Sequence, residues 1–154
     1  MDKEVWTALA SDLLAGHRGL DWEFVQTADA LAIELQPIAD PSRCARVTVS
    51  ASTEVVSYSF AGHQVSEFAY DLQEKHEVLA DTISRAVAAV RGPTQVLLEW
   101  AGPHVVRSAI SHHTSGDPLE RFTTSFPIAR LWSRIRGRRI RREVLTFPAL
   151  PDMD

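Results

Sequence analysis

Apolar and polar residues alternate with a period of two through much of residues 21–61. Trp22 and Phe24 alternate with Asp21 and Glu23. Leu31, Ile33 and Leu35 alternate with Ala32 and Glu34. Val47 and Val49 alternate with Arg46, Thr48 and Ser50, and Val56, Tyr58 and Phe60 with Ser57 and Ser59. Successive strand side chains point to opposite faces, so each run buries one face and wets the other. The breaks Thr27-Ala28-Asp29, Ala39-Asp40-Pro41-Ser42 and Ala51-Ser52-Thr53 are rich in turn formers. Four strands joined by short turns predict an antiparallel meander.

Two stretches carry the helical period instead. In residues 3–15, Val5, Trp6, Leu9, Leu13 and Leu14 fall at helical spacing, Asp2 is placed to cap the start and Gly16 to end it. The polar face lacks the Lys/Arg richness of a lipid-surface helix, so this helix is expected to pack on the core. Residues 66–91 predict the main helix, with Leu72, His76, Leu79, Ile83, Val87 and Val90 at steps of three or four and Gly92-Pro93 as its stop. Its stripe over 70–91 is expected to lie across the meander. Beyond it, 94–100 and 104–110 read as strands around Ala101-Gly102-Pro103, 111–118 as a loop and 121–126 as a strand. Ile128, Leu131, Trp132 and Ile135 form a short helical pattern stopped by Gly137, and 138–147 reads as an edge strand or ordered tail. The expected class is therefore α+β: a single domain over 1–150 with a short tail at 151–154. Its antiparallel β-meander sheet of five to seven strands is packed by an N-terminal helix and a long helix around 70–91.

Composition narrows the class. The chain has 154 residues, 45% hydrophobic and 23% charged. These values are close to globular averages, and a chain of this length can bury roughly 70% of its unfolded surface. A mainly disordered chain, a collagen-like repeat and a disulfide scaffold are excluded. Cys44 is the one cysteine, so no intramolecular disulfide forms and a cysteine-based zinc site lacks ligands. No apolar run approaches the ~18 residues a spanning helix needs. The start, MDKEVWTALASDLLAGHRG, has no basic region followed by a long apolar run. A cytoplasmic protein without membrane contact is the expectation.

Charge changes the picture more. Residues 1–129 hold 9 Lys/Arg and 17 Asp/Glu, a formal −8. Residues 130–142 hold seven arginines and no acid, a formal +7 within a net −4. Arg130, Arg134, Arg136, Arg138, Arg139, Arg141 and Arg142 surround Trp132. Guanidinium forks suit carboxylate or phosphate, and Arg with aromatic residues is enriched at interface hot spots. These eight residues are the candidate partner-binding set. The arginines have three uses: lying along the acidic body of their own chain, steering an acidic protein partner, or holding nucleic-acid phosphate. An acidic pI near 5.8 opposes the last.

Catalytic motifs do not appear. The chain lacks GxSxG, HExxH, P-loop and GxGxxG patterns, and free cysteines such as Cys44 are more often small buried hydrophobes than nucleophiles. His112-His113, with His104 and Asp117 nearby, reads as an exposed loop pair rather than a metal site, since adjacent strand residues face opposite ways. His76 falls on the main-helix stripe and reads as a core-edge histidine. No catalytic residue, metal or cofactor is assigned.

One stretch carries a resemblance. In VVSYSFAGHQVSEFAYD (55–71), a meander strand ends in Tyr58 and Phe60, followed by Gly62-His63, Phe68 and a long amphipathic helix. This resembles the small α+β immunity and accessory proteins encoded beside bacterial polymorphic toxins, over about half the chain. The resemblance implies a non-catalytic protein that neutralises a partner toxin without a cofactor, and it transfers no functional residue. High Arg, Ala and Val with low Lys fits a GC-rich bacterial source. The expected function is a non-catalytic protein-binding module, with alternatives in a nucleic-acid-binding accessory protein using 130–142 and a small enzyme or ligand carrier.

Overall fold

The computed structural model describes residues 3–26, 30–50, 54–112, 120–125, 137 and 139–151. Helix α1 (Lys3–Ala15) leads into strands β1 (Leu20–Gln26), β2 (Ala30–Pro37), β3 (Ala45–Ser50), β4 (Val55–Phe60) and β5 (His63–Phe68). Helix α2 (Leu72–Arg91) follows, then β6 (Thr94–Ala101), β7 (His104–His112), β8 (Glu120–Ser125) and β9 (Ile140–Phe147). The first five strands form an antiparallel meander in the order β1-β2-β3-β4-β5. The last four do not extend it; they form a second antiparallel sheet in the order β8-β7-β6-β9.

Period two places the inner face of the meander as the alternation requires. Leu31, Ile33 and Leu35, then Ala45, Val47 and Val49, then Val56, Tyr58 and Phe60 are buried in register across β2, β3 and β4. Glu23, Glu34, Arg46, Thr48, Ser57 and Ser59 line the opposite face. Helix α2 lies over the inner face, with Leu79, Ile83, Ala86, Val87 and Val90 buried against it, and α1 seals α2 with Trp6, Ala10 and Leu14. Full burial of each such aliphatic side chain contributes about 2 kcal/mol.

Three local details depart from the periodic reading. Residues 63–68 are a strand, so the main helix begins at Leu72 rather than at 66. Ala61 and Gly62, at φ 48° and 84°, make the two-residue turn joining β4 to β5, the backbone that suits strand twist. Asp71 then caps α2: its side chain accepts the Glu74 N–H at 2.9 Å, and Glu74 accepts the Asp71 N–H at 3.4 Å. The inner stripe at the first turn of α2 is carried by Lys75, leaving Leu72 and His76 exposed. Val5 of α1 is also exposed. The proposed Asp2 cap and the short helical pattern at 128–135 lie outside the described residues.

The second sheet seats against the β4–β5 hairpin and the end of α2. Leu98 packs on Gly62, Phe60 meets Phe147 edge-on at 4.8 Å, and Thr94 Oγ1 donates to the Ala89 carbonyl at 3.0 Å. Arg43, 5% exposed, clasps the chain after β9: Nη1 donates to the Pro148 carbonyl at 2.5 Å, and the guanidinium lies 5.7 Å from the Phe147 ring centre. The Leu150 N–H donates to the Arg91 carbonyl at 2.9 Å.

Gly92 makes this closure possible. Its backbone (φ 71°, ψ −179°) belongs to a region open almost to glycine alone, and a Cβ there would lie 2.7 Å from the Pro148 carbonyl oxygen. Gly92→Ala is expected to destabilise the protein by about 3 kcal/mol, read as a lower urea midpoint at unchanged slope. A midpoint equal to that of the parent would contradict this account.

Candidate interaction site

Of the eight residues marked by the charge pattern, Arg139, Arg141 and Arg142 are described; Arg130, Trp132, Arg134, Arg136 and Arg138 lie outside the described residues. Arg139 is exposed just before β9, and Arg141 and Arg142 are its second and third residues. Strand β9 is one of the two outer strands of the second sheet, paired to β6. Its register decides what the arginines touch. Arg142 stands opposite Glu99, and Glu99 stands opposite Arg107 on β7. Arg141 stands opposite Trp100.

Glu99 is the anchor of this arrangement. It is 1% exposed, and a carboxylate taken out of water needs partners close at hand. Arg142 Nε donates to its Oε1 at 3.1 Å, and Arg107 Nη1 lies 3.8 Å from the same oxygen. The Arg142 side chain is nonetheless 70% exposed, since only one end of the fork is spent on Glu99.

Trp100 organises the neighbouring arginine. Its indole N–H donates to Glu143 Oε2 at 3.0 Å, which holds the ring in place. The Arg141 guanidinium lies 5.6 Å from the ring centre, with Nη2 3.8 Å from the same Glu143 oxygen, and its side chain is 71% exposed. Stacking on an aromatic face and one long ion pair orient the cation without burying it. At this end of the sheet Glu99 answers Arg107 and Arg142, and Glu143 answers Arg141. Ser125 pairs with Arg107 and Ile140 with Ala101, so β8 ends and β9 begins at this same end of the sheet.

Part of the guanidinium charge is thus spent inside the molecule. Arg142 serves the fold by satisfying Glu99, whereas Arg141 is presented outward. Glu99, Trp100, Arg107 and Glu143 join the site through strand pairing. The signal for Glu99 was a charged residue set among apolar ones in VLLEW, where a strand interior needs a cross-strand cation.

A second polar cluster lies in the joint between the sheets. His63 Nδ1 and Ser108 Oγ are 2.8 Å apart, and both residues are buried, as are His112 and Tyr58. His112 is therefore a core residue at the end of β7 rather than half of an exposed loop pair. Burial, reinforced by His112, lowers the His63 pKa to about 4, and burial raises that of the Tyr58 hydroxyl. Tyr58 Oη and His63 Nε2 have no hydrogen-bond partner among the described residues. A hydroxyl–imidazole pair is half of a nucleophilic triad; here, at 2% and 0% exposure, Ser108 and His63 lie inside the joint and link the two sheets. Cys44 is exposed, with its thiol pKa raised by desolvation and by Glu34, which leaves it protonated and poorly nucleophilic.

No family model, curated protein or solved structure matches the chain.

The His63 joint makes stability acid-sensitive. Between its ordinary pKa of 6.5 and the folded value of about 4, the unfolded chain binds a proton that the native state rejects. The stability due to neutral His63 is complete above pH 6.5 and is lost as pH falls toward 4, by about 3 kcal/mol in all. Urea unfolding at stepped pH is expected to show this slope and to show it flattened in His63→Gln; parallel slopes in the two proteins would refute the assignment.

Proposed function

We propose that this protein is a non-catalytic protein-binding module that receives an acidic partner at the β9 end of its second sheet. The observation carrying this reading is Arg141: stacked on Trp100, steadied by Glu143 and 71% exposed, it is a guanidinium held ready outside the fold. Interfaces favour such groups because little side-chain entropy is left to lose on binding. Arg139 and the outward end of Arg142 extend the positive surface. Toxin neutralisation of the immunity type is the form of this function that the resemblance of 55–71 implies, in a bacterial cytoplasm. An acidic chain carrying one local cationic surface favours a carboxylate-bearing partner over a polyanion, which the rest of the surface would repel.

Affinity capture from a bacterial lysate tests the reading, comparing the parent with an Arg139→Ala, Arg141→Ala variant. At least one protein held by the parent is expected to be lost by the variant. Retention of the same proteins by both, or of none, overturns it. Titration with a labelled duplex and a labelled single strand at low salt is expected to show no binding; binding that weakens steeply with salt reassigns the surface to phosphate. Arg141→Ala is expected to change stability by less than about 1 kcal/mol, whereas Arg142→Ala, which strips Glu99 of a hydrogen bond, is expected to cost about 1–2 kcal/mol. Equal urea midpoints for the two variants would contradict this division between presentation and architecture.

A further inference from the structure

Three large apolar side chains stand in solvent within five residues of chain: Phe68 at 62%, Tyr70 at 73% and Leu72 at 59% exposure. They mark the passage from β5 into α2. Phe68 lies on the outer side of β5, two positions from Ser66 and away from buried His63. Ala69 turns inward, fully buried, with its N–H donated to the Glu54 carbonyl at 3.1 Å, so Phe68 and Tyr70 flank it on the outer side. Leu72 opens α2, whose buried stripe starts at Lys75. Single exposed apolar residues need no explanation, but three in one short corner do.

The same corner is acidic. Asp71 and Glu74 close the capping box, and Glu74 Oε2 also accepts the Tyr70 N–H at 3.0 Å. The Glu54 carboxylate pairs with Lys75 Nζ at 2.5 Å. Three carboxylates therefore border the apolar run, and among the described residues tied to it one ammonium, 9% exposed, answers them. The capping carboxylates already occupy the positive end of α2, so the corner offers little to an anion. An apolar patch with a negative rim fits a partner that is apolar along one side and cationic along the other, and aromatic faces add attraction for its cations.

We propose that the β5–α2 corner is a docking surface for a Lys/Arg-rich amphipathic segment of another protein. The apolar side of that segment covers Phe68, Tyr70 and Leu72, and its cations face Glu54, Asp71 and Glu74. This surface has the opposite sign to the β9 end and stands independently of the function proposed there.

Fluorescence anisotropy on the full chain tests it with three labelled peptides: one with Lys and Leu at helical spacing, one with Lys and Gly at equal charge, and one with Glu and Leu. The Lys/Leu peptide is expected to bind at least about tenfold more tightly than either control, and less tightly as salt rises. The combined Phe68→Ser, Tyr70→Ser and Leu72→Ser changes are expected to weaken it about tenfold while the circular dichroism spectrum and Tm hold. Should that variant fold poorly, Tyr70→Ser, at the most exposed position, is expected to weaken binding about threefold. Arg139→Ala, Arg141→Ala is expected to leave it unchanged. Equal binding by the parent and the corner variants, equal binding of the Lys/Gly peptide, or no binding overturns the proposal. So does sedimentation showing a dimer that the corner substitutions abolish, which would assign the patch to a second copy of the chain.

Discussion

His63 and Ser108 meet at 2.8 Å where the first residue of β5 faces the middle of β7, and this buried contact sits in the joint between the two sheets. Around it the joint is mostly apolar, with Leu98 on Gly62 and Phe60 against Phe147. Polar groups fix its register: Thr94 on the end of α2, Thr124 donating to the Gln64 carbonyl at 2.8 Å, and Arg43 on Pro148. Apolar contact alone tolerates sliding, whereas a buried hydrogen bond made in one register is lost in the next. The position of β9 follows from this joint, because β9 is held through β6 and through the closure of 148–150 on α2.

That closure leaves little freedom. Gly92 must accept a backbone conformation closed to other residues so that α2 can end while Pro148 passes at van der Waals distance. The sheet it admits brings Glu99 into the interior, and a buried carboxylate draws cations toward it. Arg107 and Arg142 approach from the two flanking strands. Trp100, next along β6, carries Arg141 on its ring. One buried acid and one half-buried indole thus give adjacent, equally exposed arginines of β9 different partners: Arg142 bonds Glu99, and Arg141 lies over Trp100.

Charge is separated along the molecule to match. Carboxylates gather where β5 turns into α2, and guanidiniums gather where β9 begins. The two surfaces proposed for partners thus have opposite sign, and a charged group drawn to one is repelled by the other.

Much of the meander was legible because one period, two, ran through β1–β4 and the inward positions, save Gln26 at the end of β1, were apolar. The extent of α1 and the stop of α2 followed equally well from spacing and from Gly92-Pro93. Strand β5 hid, since its inner positions include His63 and Glu67 while Phe68 faces outward, so its alternation does not read as amphipathic. The arginine strip was visible as composition, but its division was not: whether a guanidinium is spent or presented depends on the residue across the ladder, and Glu99 and Trp100 lie roughly forty positions away in the chain. Periodicity is a local property that each segment carries by itself, and it determined the elements. Strand pairing between distant segments, and the buried contacts that choose its register, belong to the tertiary structure, which alone decided that the later strands form a second sheet and which arginine meets the buried Glu99.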